Sequence, residues 1–467
     1  MTVRPETSGR PRIVIVGGGY VGMYTALRLQ KKLRSDEAEV VVIDSRSYMT
    51  YQPFLPEAAA GNIEPRHIVV PLRRVLPSAK IVTGDVTGIE HGRKVVKVKP
   101  HDGEPIELSY DHIVVALGSV ARILPIPGLA EQGIGFKRVE EAIFLRNHVI
   151  DQLDLAESST DPELRKRALT FCFVGGGYAG IEAFAELEDM VRYATRLYET
   201  ITPQDLRWVL VEAADRILPE VGPEMGVWTL DSLRARGSEI KLKTFLNSCV
   251  DGHVVLSDGT EFDTNTVVWT AGVKANPVLG TSDLPLDERG RLKCTAELAV
   301  DGADGAWGAG DCAGVPDLTK GPGEFCSPSA QHAVRQAPVL ADNIVATLRG
   351  EPLKKYEHKY AGSVAGLGLR KGVANVYGVK LKGWPAWMMH RVYHMSRVPT
   401  LRRKIEVQLD WAAALLFRRD VVSLGSLQRP RREFIEYAPR PKADPAPAAA
   451  DKPEQKVISG PGKGAGQ

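Results

Sequence analysis

Cysteine is scarce: the 467 residues hold five, Cys172, Cys249, Cys294, Cys312 and Cys326. None forms a C-x-x-C pair or a metal-ligand spacing, which argues against disulfides and zinc and for a reducing compartment. No metal is expected, and each thiol reads as a small buried hydrophobe. Long apolar runs are missing as well, since no stretch reaches the roughly 18 to 20 residues that cross a bilayer. The polar opening Met1 to Arg10 leads straight into an apolar strand, not into a secretory core. What remains, 43% hydrophobic and 25% charged, is ordinary for a soluble globular chain long enough for about three domains.

Against these absences stands a repeat. Gly17-Gly18-Gly19-Tyr20-Val21-Gly22 recurs as Gly175-Gly176-Gly177-Tyr178-Ala179-Gly180, behind the apolar runs Arg12 to Val16 and Leu169 to Val174. Helical patterns follow, Met23 to Leu33 and Ile181 to Met190. Strand, glycine turn and helix form a dinucleotide-binding unit: one glycine reverses the chain, one lets the backbone approach a pyrophosphate, and one lets the helix pack on its strand. The phosphates then meet free N–H groups and the positive end of the helix dipole. The chain therefore has two places for a dinucleotide, on two Rossmann-like α/β domains.

Each unit should continue into a strand closed by an acid that accepts the ribose hydroxyls. Glu39 to Ile43 ends in Asp44, about 22 residues beyond Gly22 and close to the usual offset of about 20. Arg207 to Val211 ends in Glu212, later than usual because Glu188 to Thr202 is expected to add a helix. A carboxylate at Glu212 would repel a 2′-phosphate, so the second site should take NADH and not NADPH. Two further strand-to-loop segments, Tyr110 to Gly118 and Asn265 to Gly272, end in small residues, including Ala116 and Gly118, Ala271 and Gly272. They suit a crossover beside a bound nucleotide.

The formal charge of +3 hides an asymmetry. From Lys380 to Lys442 there are fourteen Lys and Arg against five Asp and Glu, a surplus of nine, which leaves −6 for the rest. The same stretch places Trp384, Trp387, Met388, Val392 and Met395, then Leu401, Ile405, Leu409, Ala412 and Leu416, at helical spacing. Helices with apolar faces flanked by bases suit a bilayer interface, so a membrane surface is expected to meet residues 384–419; the competing reading is two helices covering a sheet. Nucleic acid is a poor partner because no stacking motif or recognised fold accompanies the charge. Beyond Tyr437 the Ala, Pro, Lys and Gly composition reads as a disordered tail, 438–467.

A last segment, Gly305 to Ala313 with Asp311, precedes Cys326-Ser-Pro-Ser-Ala330-Gln331-His332-Ala-Val-Arg-Gln336 and a helical run to Leu348. Ser327 is the expected cap and Pro328 the first turn of that helix. With these motifs in place, the chain from about Arg12 to Tyr437 resembles the type II NADH dehydrogenases, single-subunit NADH:quinone oxidoreductases of the two-dinucleotide-binding-domain, glutathione-reductase-like flavoprotein group. The resemblance implies FAD on Gly17, Gly19 and Gly22, with Asp44 on its ribose and Asp311 on its ribityl chain. It implies NADH on Gly175, Gly177, Gly180 and Glu212, with Glu182 near nicotinamide and flavin.

Ala330 to Gln336 matches the family's Ala-Gln-x-Ala-x-x-Gln quinone pattern, so Gln331 and Gln336 would bound a pocket for menaquinone or ubiquinone. Tyr51-Gln52-Pro53-Phe54-Leu55 resembles the flavin-side loop, although Pro56 and Glu57 stand where members often carry Tyr and Gln. The implied reaction passes hydride from NADH to flavin and two electrons on to quinone. The implied layout is an FAD domain in two parts, 11–121 and 281–350, an NADH domain, 122–280, and a C-terminal α+β membrane-association region, 351–437. The place expected for it is peripheral, on the cytoplasmic face of the cell membrane, and a homodimer is left open. A disulfide or sulfide reductase is disfavoured because Tyr178-Ala179 stand where a redox cysteine would. A ferredoxin- or rubredoxin-type reductase and an NADH-sensing flavoprotein acting through a protein partner stay as alternatives.

Overall fold

In the computed structural model, residues 9–359, 362–417, 419–425, 430 and 432–437 are described. The apolar, β-branched runs before the two glycine turns form strands Arg12–Val16 and Thr170–Val174, buried at every position. Each lies at the centre of a five-stranded parallel sheet. The first sheet runs in space Ala306–Gly308, His112–Val115, Arg12–Val16, Glu39–Asp44, Lys80–Thr83. The second runs Gly133–Gly135, Thr266–Trp269, Thr170–Val174, Arg207–Val211, Glu239–Lys241. One topology is used twice: the next strand pairs on one side of the centre, and a later, returning strand pairs on the other. Strands covered on both faces have no solvated side to pattern, which is why they read as unbroken apolar runs.

Helix α1 (Tyr20–Lys32) leaves the first glycine turn and helix α2 (Tyr178–Ala194) the second. The extra helix expected between Glu188 and Thr202 is not formed. Instead α2 runs on to Ala194 and closes in a short turn, Thr195–Leu197, because nearly all its residues from Gly180 to Ala194 are buried and reward continuation.

Helix α3 (Ala330–Arg349) packs along α1, with Arg28 Nε 2.9 Å from Asp342 Oδ1. Its cap is Ser329, not Ser327: Ser329 is extended (φ −160°, ψ 149°) and its side chain accepts from His332 N, so Pro328 lies before the helix.

The strands Gly362–Gly366, Gly372–Val376 and Val379–Lys382 form an antiparallel sheet, followed by α4 (Trp384–Arg397) and α5 (Leu401–Phe417). The apolar face expected on α4 is split. Trp387 is buried beside Ala386, His390 and Arg391, and Met395 packs on the core, leaving Trp384, Met388 and Val392 outside. On α5 the whole set Leu401, Ile405, Leu409, Ala412 and Leu416 is exposed, while Val407 and Trp411 face inward.

The described residues up to Ser423 make one compact unit; those from Leu424 onward are separate from it, and among them Arg432–Glu436 is helical. The tail expected over 438–467 lies outside the described residues. Among the described residues no helix is long and apolar enough to cross a membrane.

Candidate functional site

The first glycine turn is built by close approach. Gly17 has φ +104°, and a Cβ there would collide with Ala116 O; a Cβ on Gly22 would collide with Gly17 O. Gly19 is different, because a Cβ there would meet nothing within 4 Å. The turn thus has three packed glycines, Gly17 and Gly22 against backbone and Gly18 against Leu72, and one, Gly19, that opens at the N-terminus of α1 onto space a ligand backbone can fill. Asp44 closes the rim: its Oδ2 accepts from Gly18 N at 2.6 Å and its Oδ1 from Arg46 N at 2.7 Å. Burial holds its carboxyl above the ordinary value despite these donors.

The second turn repeats this. Gly175 has φ +116° and would bring a Cβ 2.7 Å from Thr270 Oγ1, Gly180 would meet Gly175 O, and Gly177 again opens onto empty space. Glu212 accepts from Gly176 N and, at 2.7 Å, from Ala214 N. Ala116 and Ala271 cross over the two turns beside Gly118 and Gly272, which have φ +62° and +92°. Two helix N-termini above open glycines, each with an acid at the rim, fit two pyrophosphate-linked nucleotides.

Beside the first turn the side chains converge on Asp311. Ser119 Oγ donates to Asp311 Oδ2 at 2.6 Å, and Lys137 Nζ donates to Ser119 Oγ at 2.8 Å. Burial pushes the Lys137 ammonium below its usual range even though Asp311 and Glu141 oppose the shift. Gln52 reaches the same place, donating from Nε2 to Lys137 O at 3.2 Å, with Pro53 next to it in a short 3-10 turn.

Helix α3 joins this cluster through Gln336, which is 1% exposed and accepts from Gly310 N at 2.7 Å. Gln331 donates from Nε2 to Gly362 O at 2.9 Å, while its Oε1 is buried without a partner among the described residues. Ala330 opens the helix.

Glu182 looks elsewhere. Its Oε1 accepts from Gly366 N at 2.8 Å and lies 3.3 Å from His390 Nε2. The rings of His390 and His394 follow at 4.5 Å between centroids, and His394 Nδ1 lies 3.1 Å from Tyr51 OH, so buried polar groups connect Glu182 to the loop of Gln52. Next to them Glu57 accepts from Arg391 Nη2 at 2.8 Å and Trp411 Nε1 at 2.7 Å, and Arg391 lies over Trp387 at 4.0 Å and Trp411 at 4.5 Å. The unusual acid at position 57 therefore has a partner in α4 and another in α5. Farther along α2, burial pushes the Glu186 carboxyl up to about 7 against the pull of Arg419.

The structure thus brings Gln52, Asp311 and Gln336 into one cluster, keeps Asp44 and Glu212 in separate cradles, and turns Glu182 toward α4. Sequence reading missed Ser119, Lys137, His390, His394 and Arg391. No spacing rule marks them, since each acquires its meaning from a partner at least 18 residues away, 334 in the case of Arg391 and Glu57.

Doubled parallel sheets with doubled open cradles define a two-nucleotide flavoprotein oxidoreductase, and the pyridine nucleotide-disulphide oxidoreductase family model matches residues 11–337. The chain belongs to that family and, within it, to the type II NADH:quinone oxidoreductases. The type II NADH:quinone oxidoreductase of Staphylococcus aureus is 30% identical over 388 residues, 82% of this chain and 94% of that one. That of Mycobacterium tuberculosis is 28% identical over 470 residues, 96% of this chain and 99% of that one. The solved structure of NDH2 from Plasmodium falciparum in complex with NADH superposes with a TM-score of 0.82 at 16% identity, covering 88% of this chain and 99% of that one, a likeness of fold.

Proposed function

We propose that this chain oxidises NADH and reduces a membrane quinone, menaquinone or ubiquinone, using FAD held in the first cradle. The observation that carries the reading is that both cradles are open at their middle glycine while a family-type glutamine helix, α3, is tied to the Asp311 loop. Bound there, FAD supplies the two-electron chemistry that connects a pyridine nucleotide to a quinone.

The protein supplies binding, orientation and electrostatics. Gly17, Gly19 and Gly22 with the N-terminus of α1 take the FAD pyrophosphate, and Asp44 its ribose. Asp311, oriented by Ser119 and Lys137, accepts from the ribityl chain, while Gln52, Pro53, Ala116 and Gly118 wall the ring. Gly175, Gly177, Gly180 and Glu212 do the same for NADH, with Ala271 and Gly272 across the turn. A carboxylate at Glu212 disfavours the extra phosphate of NADPH.

Ala330 places the N-terminus of α3, and its positive dipole end, toward the flavin. Gln331 bounds the quinone pocket. Gln336 is a positioning residue, since its carbonyl is engaged by Gly310 N. Glu182 holds a proton-exchanging pair with His390 at the inner end of the site.

The domains follow from these roles: an FAD part from 11–121 and 281–350, an NADH part from 122–280, and a membrane-association part from 351–437. On α5 the exposed stripe of Leu401 (74%), Leu409 (63%) and Leu416 (75%) beside Arg402 and Lys404 supports a peripheral place on the cytoplasmic face of the membrane. Flotation with anionic lipid vesicles reads this contact: Leu409→Asp with Leu416→Asp should abolish it, and a double variant that floats unchanged would refute it.

The acceptor is tested with a panel. Purified enzyme should turn over NADH with menaquinone or ubiquinone analogues and not with a ferredoxin or rubredoxin; turnover with the iron-sulfur or iron protein alone would overturn the reading.

A further inference from the structure

Asp317, Cys326 and His332 come from three places: the loop after Asp311, the stretch before α3, and the first turn of α3. All are buried, at 4%, 6% and 9% exposure. One donor atom from each, a carboxylate oxygen, a sulfur and a ring nitrogen, lies within 4.8 Å of the other two.

Their surroundings orient them without using them up. Tyr356 OH lies 2.9 Å from His332 Nδ1, which fixes the ring and leaves Nε2 for a further partner. Asp317 Oδ1 accepts from Thr319 N and Oγ1 at 3.1 and 2.7 Å, and Lys320 Nζ lies 3.2 Å from Oδ2. Cys326 Sγ is 3.8 Å from Pro316 O, a weak contact. Outer partners of this kind are what metal-binding imidazoles and carboxylates carry. A separate observation points the same way: His358, whose ring centroid is 6.1 Å from that of His332, has a buried Nε2 with no hydrogen-bond partner among the described residues.

We propose that Asp317, Cys326 and His332 bind a zinc-class divalent cation, with His358 as the fourth donor. Sulfur, nitrogen and one carboxylate oxygen are the ligand types of a four-coordinate zinc site. Donors around such an ion lie about 3.3 to 3.8 Å apart, given bonds of about 2.0 to 2.3 Å, so side-chain rotations of about an ångström bring Asp317, Cys326 and His332 to that spacing, while His358, outside that group, has to turn its ring inward to complete the set. On binding, the Cys326 thiol releases its proton to solvent and forms the sulfur–metal bond, with no change of oxidation state. The site clamps the 310–326 loop, which carries Asp311, to the turn of α3 that carries Gln331. It departs from the sequence expectation of no metal because its ligands lack a recognised spacing.

The test uses tag-free, full-length, flavin-loaded enzyme. After exposure to Zn(II) and gel filtration, elemental analysis should find about one zinc per chain, and Cys326→Ser and Asp317→Asn should each weaken it at least about tenfold. Flavin content should stay as in the parent. Zn(II) should also raise the melting midpoint of the parent by linkage, a readout that needs no variant to fold. Zinc that washes out of the parent with no shift in its midpoint, or zinc kept at full stoichiometry by both variants, would overturn the proposal.

Discussion

The two glycine cradles are near-copies in backbone and unlike in company. Both place a positive-φ glycine under a crossover loop, leave the third glycine open, and tie the second to an acid at the rim. The first, however, faces Ser119, Lys137 and Asp311, and its helix α1 lies along α3, whereas the second continues into α2, whose acids Glu182 and Glu186 face inward toward His390 and Arg419. The difference teaches that local sequence builds the same seat twice, while distant chain decides which side chains surround each one.

The largest effects should come from the glycines themselves. Gly22→Ala forces a methyl into Gly17 O and should cut bound flavin at least about tenfold with a lower melting midpoint; Gly180→Ala should keep the flavin and lose NADH binding to a similar degree. Gly19→Ala and Gly177→Ala sharpen this, because their methyls enter empty space: folding should be unchanged, with flavin affinity reduced in the first and the NADH KM raised about tenfold in the second. If all four variants lost both ligands alike, the cradles would not be separate sites.

The next effect splits the reaction. Gln331→Ala should slow reoxidation by quinone about tenfold while bleaching of the flavin by NADH keeps its rate, as stopped-flow absorbance would record. Equal slowing of both halves would remove Gln331 from the quinone side.

A smaller change is expected in nucleotide choice. Replacing Glu212 by Ala should raise the NADPH-to-NADH ratio of kcat/KM by roughly tenfold, about 1.4 kcal/mol, and Asp44→Ala should leave that ratio alone while loosening flavin.

The smallest is a pH effect at the second cradle's inner end. Burial alone would lower the His390 pKa, but Glu182 and then Glu57 outweigh it and Arg391, so it is held above the ordinary value. A histidine raised in this way stabilises fully below its unfolded pKa of about 6.5, and the contribution fades as pH rises through the elevated value. Its neighbour His394 is pushed well below the ordinary value by burial and by His390, and stays neutral. The melting midpoint should therefore fall more between about pH 6 and pH 9 in the parent than in His390→Asn; parallel curves would count against a charged His390.

The cradles were legible in the sequence because their physics is local. Backbone reversal, close approach and a helix start leave glycines at fixed spacing, and Asp44 and Glu212 end the next strand in the pairing order. The exposed stripe of α5 was legible for the same reason, through helical period. What periodicity could not resolve was which bulky residues of α4 face inward: Trp387 reads like Met388 until Arg391, Glu57 and Trp411 are assembled around it. Lys137 was silent too, because a lysine ahead of a helix is ordinarily solvated, and only its bond to Ser119 gives it a role. The cap at Ser329 and the length of α2 were decided by tertiary fit and not by propensity.

In the proposed reaction one flavin relays electrons between two separately bound substrates. Anaerobic mixing of the yellow protein with one equivalent of NADH, followed by a quinone analogue, tests it most directly. The flavin absorbance should bleach with NADH, bleach far more slowly with NADPH, and return when the quinone is added. Protein that carries no flavin and takes up none, or a bleached flavin that no quinone restores, would contradict it.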